Sequence, residues 1–205
     1  MDTPPTPMFP LGTPLLPGVG IPLHVFEPRY REMVVDILAA DGPPEFGQVL
    51  ITHGREAGGG DERADVGTIA RMADIQALPD GRYAFFAVGT ERIRVVEWLP
   101  DDPYPRARVE RWPDASAGAL DLEGAADRVR SVLALAARLA STEVPELPPL
   151  DEGDASEVTY RLAAVAPLGA ADRYALLAAD GPGERLVVLH RALDDVEAML
   201  RFRLS

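Results

Sequence analysis

Lys and Cys are both missing from this chain, and each of these absences closes off a body of chemistry. None of its 205 residues is Lys, so all 20 basic residues are Arg. Without a Lys amine there can be no Schiff base, no Lys-activated serine and no phosphate-binding Lys of the P-loop kind. Cys is absent too, which excludes thiol nucleophiles, thiolate zinc sites and disulfide frameworks. His is scarce, at positions 24, 53 and 190, and none of the three has a second His, Asp or Glu at a metal-ligand spacing. The serines, Ser116, Ser131, Ser141, Ser156 and Ser205, never stand in a Gly-x-Ser-x-Gly elbow. These shortages predict a protein that is not an enzyme and needs no cofactor or metal.

Long apolar runs and positive charge are also in short supply. No stretch approaches the roughly 18 uninterrupted apolar residues of a membrane helix. The start, MDTPPTPMFP, has neither the basic nor the apolar region of a signal peptide, so a cytoplasmic location is expected by default. With 33 acidic residues the formal charge is -13. Nucleic-acid binding rests on phosphate neutralisation by clustered basic groups, so neither a polyanion nor a membrane is an expected partner.

What is present is an ordinary globular composition, 47% hydrophobic and 26% charged, in a chain long enough to bury a core. Proline is dense from Pro4 to Pro22, which predicts extended backbone with short edge strands. The alternation in residues 20–26 suggests a strand with Leu23 and Val25 on one face and His24 and Phe26 on the other. After Glu27-Pro28 the period changes: Tyr30, Met33, Val34, Ile37 and Leu38 recur as on one helix face, and Pro28 suits a first turn.

Residues 46–52 read as another strand, and Gly58-Gly59-Gly60 as a hairpin tip rather than a phosphate loop. Strand signals then fill residues 66–75, 83–88, 93–98 and 104–112, with a turn at Pro79-Asp80-Gly81 and an isolated Gly89 of the kind that marks a bulge or bend. Beyond Pro113 the pattern turns helical. Leu122, Ala126, Val129, Leu133, Ala136 and Ala140 form one stripe; Val158, Leu162 and Val165 another, opened by a capping-box spacing at Asp154 and Glu157. Residues 171–179 form a shorter helix, and Leu186, Leu189, Leu193, Val196 and Leu200 a final stripe. The expected fold class is α+β: a curled β subdomain with one helix over residues 1–115, then an α-helical bundle over residues 116–205.

Certain residues carry a specific likeness. Phe9-Pro10-Leu11-Gly12, Pro17-Gly18 and Pro22-Leu23-His24-Val25-Phe26-Glu27-Pro28-Arg29-Tyr30 together resemble the start of Lon protease amino-terminal domains. Val66-Gly67-Thr68-Ile69-Ala70, Gly81-Arg82, the run Val88-Gly89-Thr90-Glu91-Arg92-Ile93-Arg94-Val95, Pro167, Leu176-Leu177 and Arg185-Leu186 extend the resemblance along the chain. It implies a PUA-like pseudo-barrel followed by a helical subdomain, and a role in binding protein or peptide segments, unfolded ones among them. Nothing in these residues resembles the ATPase or peptidase modules of Lon, so a stand-alone, non-catalytic adaptor or sensor is expected. The alternative is a small-molecule sensor with a pocket between the β and helical subdomains.

The candidate motif and peptide-binding residues are His24, Phe26, Glu27, Arg29, Tyr30, Phe85, Phe86, Arg92 and Trp98. His24 reads as a hydrogen-bonded structural residue, and His53 and His190 as solvent-facing. Glu27, Arg29 and Tyr30 read as an internal ion pair or cap at a strand-to-helix corner. Adjacent Phe85 and Phe86 must point to opposite faces of their strand, making one of them a candidate for exposure. Capture would use exposed apolar surface or a free strand edge.

Overall fold

The computed structural model describes residues 4–54 and 60–205, so Gly58 and Gly59 of the expected hairpin tip lie outside the described residues. The chain divides into two compact units, residues 1–113 and 114–205.

The first unit holds six strands, β1 (Thr6–Leu11), β2 (Gly20–Val25), β3 (Glu45–His53), β4 (Glu62–Ala77), β5 (Tyr83–Leu99) and β6 (Arg106–Arg111), with helix α1 (Pro28–Ala39). Their order is β2-β5-β4-β3-β1-β6, and a further β5–β6 pairing closes all but β2 into a ring. Closure corrects one expectation. β1 is no edge: it lies between β3, which it pairs in parallel, and β6. Adjacent Met8 and Phe9 therefore point into two different apolar clusters, and both are buried. Among the described strands, only β2 keeps an unpaired side in the sheet.

A second correction concerns residues 83–99. They form one strand, not two, bulged where Thr68 faces Arg92 but Ala70 faces Gly89. The bulge follows from what lies against it. A Cβ on Gly89 would stand 2.4 Å from the carbonyl oxygen of Leu16, so only glycine admits this approach. The segment between β1 and β2 threads through that gap, with Leu15 and Leu16 buried. Buried Gln48 accepts from Leu15 N–H at 2.6 Å and donates to Thr13 carbonyl at 3.1 Å, while Thr68 Oγ1 donates to the Leu15 carbonyl at 2.6 Å. An irregular buried segment needs such partners for its backbone.

Helix α1 begins with Pro28 in its first turn and buries Tyr30, Met33, Val34 and Ile37 against Phe9, Phe46 and Phe85; Leu38, expected on that stripe, is exposed. The rings of Phe9 and Tyr30 lie 4.2 Å apart. The turn at 79–81 is closed by Leu78 N–H donating to the Arg82 carbonyl at 2.8 Å.

The second unit consists of α2 (Leu122–Ala140), α3 (Ala155–Val165), α4 (Ala170–Ala178) and α5 (Pro182–Leu204). The buried stripe of α2 runs through Ala125, Ala126, Val129, Val132, Leu133 and Ala137, rotated from the expected one: Ala136 is half-buried and Ala140 exposed. In an Ala-rich helix, small residues on several faces leave the stripe's centre underdetermined. The capping box at α3 forms, with Asp154 accepting from Glu157 N–H and Glu157 accepting from Asp154 N–H. Among the described residues no helix is long and apolar enough to cross a membrane.

Candidate functional site

The outer face of the β2–β5–β4 sheet places an aromatic ring in solvent. Alternation along β5 sends Phe85 inward, 3% exposed, and Phe86 outward, 49% exposed. Register sets the neighbours of Phe86: Pro22 across on β2 and Ala73 across on β4. Val88 and Ala84 flank it on β5, opposite Gly20 and His24 of β2. Phe26, 62% exposed, continues the β2 row beyond the strand end. The two residues paired directly with Phe86, Pro22 and Ala73, are small, and the ring stays half-exposed.

Beside this patch lies a backbone irregularity. Ala73 pairs with Phe86 and Gln76 with Ala84, so β4 carries an extra residue, and Asp74 there has φ of 52°. Asp accepts the left-handed region more readily than most residues, because its short side chain bonds locally. The bulge turns Asp74 towards a shallow recess of about 120 Å³ that Pro22, His24, Gln76 and Phe86 also line.

The other candidates are placed differently. His24 differs from the expectation: it is exposed, and its ring makes no hydrogen bond to the described residues, so the side chain is not a bonded structural group. His53 is exposed, whereas His190 is half-buried. Glu27 and Arg29 do pair, at 3.4 Å, and the Arg29 guanidinium stands 4.5 Å above the ring of Tyr30. Glu27 makes no side-chain cap to α1. Tyr30, Phe85 and Arg92 are buried and present no docking surface. Burial, ahead of the charges around it, pushes the Tyr30 phenol up to about 12.

Arg92 stacks 3.9 Å over Trp112 and donates to its carbonyl at 3.1 Å. Trp98 is half-buried against the Met8, Val49 and Ile93 cluster, with Arg63 4.9 Å above its ring. Of the nine candidates, then, His24, Phe26 and Phe86 share one face. Pro22, Val88 and Asp74 complete it without having been singled out. An Asp inside the apolar run Met72-Ala73-Asp74-Ile75 was the one available signal for the bulge.

Comparison with known proteins decides the family. Residues 5–195 match the family described as the ATP-dependent protease La (LON) substrate-binding domain. The chain belongs to the Lon substrate-binding domain family. A Lon protease 1 of Herpetosiphon aurantiacus is 28% identical over 192 residues, spanning 89% of this chain and 23% of that protein. A Lon protease 1 of Myxococcus xanthus is 24% identical over 212 residues, spanning 97% of this chain and 26% of that protein. The chain thus spans about a quarter of the length of these Lon relatives. The crystal structure of a Lon N-terminal domain protein from Xanthomonas campestris superposes with a TM-score of 0.63 at 29% identity, covering 96% of this chain and 98% of that one. The N-terminal domain of Mycobacterium avium complex Lon protease shares the fold, with a TM-score of 0.64 at 19% identity over 94% of this chain and 99% of that one. The α+β class expected from the sequence is that of these Lon domains. The match is to the substrate-binding part of Lon and not to its catalytic modules.

Proposed function

We propose that this chain is a non-catalytic recognition module that captures extended apolar segments of other proteins on the outer face of β2, β5 and β4, as a cytoplasmic adaptor or sensor. The observation that carries this reading is Phe86: a half-exposed aromatic in mid-sheet, ringed by Pro22, Ala73, Ala84 and Val88. Binding energy concentrates in aromatic anchors set among contacts that exclude water. The family description, a substrate-binding domain, supports protein segments as the ligand class.

Face docking fits better than addition of a strand to the free edge of β2. Pro22 sits in the middle of that strand and has no N–H to offer, and a proline on an edge blunts pairing with an incoming chain. The recess beside Phe86, about 120 Å³, is also smaller than the roughly 300–1,000 Å³ of typical small-molecule sites.

The test is fluorescence anisotropy with a reduced, carboxymethylated and therefore permanently unfolded protein as the labelled probe. Phe86→Ala should weaken binding by roughly fivefold or more, as expected for an anchor worth above ~1 kcal/mol. Val96→Ala, on an exposed residue elsewhere on β5, serves as the control. Equal affinity of wild type and Phe86→Ala, or no binding by wild type, rejects the reading.

A further inference from the structure

From the recess beside Phe86 we infer that the face selects segments in which a basic side chain, arginine foremost, accompanies the apolar one, and that Asp74 is the residue that selects it. This rests on the reading of the Phe86 face as the docking surface. Four observations converge. Asp74 is exposed, and among the described residues no cation pairs with it. The cation on the same face of β4, Arg71, is already committed to Glu45 at 2.7 Å. The β4 bulge holds Asp74 in a left-handed conformation beside the very recess that Phe86 and Pro22 wall. Finally, that recess has the size of one side-chain head group and not of a whole ligand.

A guanidinium entering it would lie against the Phe86 ring while its N–H groups meet the Asp74 carboxylate. Arginine suits both tasks, since its planar group stacks on aromatic faces and pairs with carboxylates through a fork of donors. The chain's net charge of -13 adds long-range attraction for basic segments. Phe86 would supply affinity and Asp74 choice among segments.

The experiment compares two labelled decapeptides that differ only in arginine or glutamine two residues from a phenylalanine. Wild type should prefer the arginine peptide by roughly two- to fivefold, the range of one solvent-exposed ion pair. The preference should fade as sodium chloride rises. Asp74→Asn, which keeps a residue tolerant of the left-handed region, should raise the Kd of the arginine peptide to that of the glutamine peptide. Circular dichroism checks that this variant is folded.

A preference that persists in Asp74→Asn, or none in wild type at low salt, overturns the assignment of Asp74 while leaving the docking face intact. If Phe86→Ala binds both peptides as wild type does, the docking face itself falls. Should the wild-type chain self-associate and Phe86→Ala become monomeric, the face joins two copies of this chain and the proposal is overturned.

Discussion

Arg185 Nη2 donates to both carboxylate oxygens of Asp114, at 2.8 Å each, from a side chain with no exposed surface. The same guanidinium reaches Thr159 Oγ1 at 2.9 Å, the Tyr160 hydroxyl at 2.6 Å and the Leu176 carbonyl at 3.2 Å. Ser156 Oγ donates to Asp114 in turn. One buried cation therefore joins the residue that opens the helical unit to α3, α4 and α5.

Removing one partner of a buried ion pair leaves an uncompensated charge, at a cost of roughly 3–5 kcal/mol. Asp114→Ala should accordingly destabilise the helical unit by about 3 kcal/mol, because the carboxylate keeps some exposure and its loss is softened by water. The double variant Arg185→Met with Asp114→Ala should recover part of that loss. Urea unfolding followed by circular dichroism gives the coupling energy, and strict additivity would show that the pair is not what holds these helices.

The glycines of the family motif make a second prediction. A Cβ at Gly67 would stand 2.2 Å from the Gln48 carbonyl oxygen, and one at Gly89 2.4 Å from that of Leu16. Backbone cannot yield as a flexible side chain does. Gly67→Ala and Gly89→Ala should each lose about 1–3 kcal/mol or more through overpacking. Gly20→Ala, whose added carbon would meet Val88 at an ordinary 3.8 Å, should be close to neutral in the same thermal melts.

These contacts also show what could be read from the sequence and why. The motif residues Gly67, Thr68, Gly89 and Arg92 were visible as a pattern, yet their work is internal. Gly67 admits the Gln48 carbonyl, Gly89 and Thr68 admit or fasten Leu15 and Leu16, and Arg92 holds the Trp112 carbonyl. Local periodicity located α1, α3 and α5 because each buries one stripe against a single core. It could not say whether Phe85 or Phe86 faces out, since alternation fixes only that they differ. That choice depends on pairing with β2 and β4, residues far along the chain. Arg185 gave no sign of burial either: beside Leu186 it reads as the polar edge of a stripe, and its partner Asp114 is 71 residues away.

Alkaline titration tests the packing of the first unit. Burial, reinforced by donation to Asp36 Oδ2 at 2.9 Å, pushes the Tyr104 phenol up to about 12, as burial does for Tyr30. Both raised values favour the neutral phenol in the folded state. The stability they contribute is complete below the unfolded value of about 10 and is lost as pH climbs towards about 12. Phenolate absorbance should thus show at least two of the five tyrosines ionising late, at or above the alkaline unfolding transition. In Tyr104→Phe one late ionisation should disappear; simple titration of all five near pH ~10 would contradict the packing.

At the acid end the informative group is Asp61. Burial of its carboxyl opposes ionisation, but the hydrogen bond from Arg63 at 2.7 Å, its own backbone N–H and the charges of Arg63 and Arg29 outweigh this and hold it below the ordinary carboxylate range. Arg63 is itself gripped by Asp101 at 2.7 Å, so the ends of β4 and β5 are tied through one guanidinium. A depressed value contributes stability above the unfolded carboxylate value of about 3.9, lost as pH falls through the folded value. Asp61→Asn should lower stability at neutral pH and flatten its decline below pH ~4 relative to wild type. Urea midpoints across that range measure both effects, and parallel pH profiles for the two proteins would mean that Asp61 is not what makes this sheet acid-sensitive.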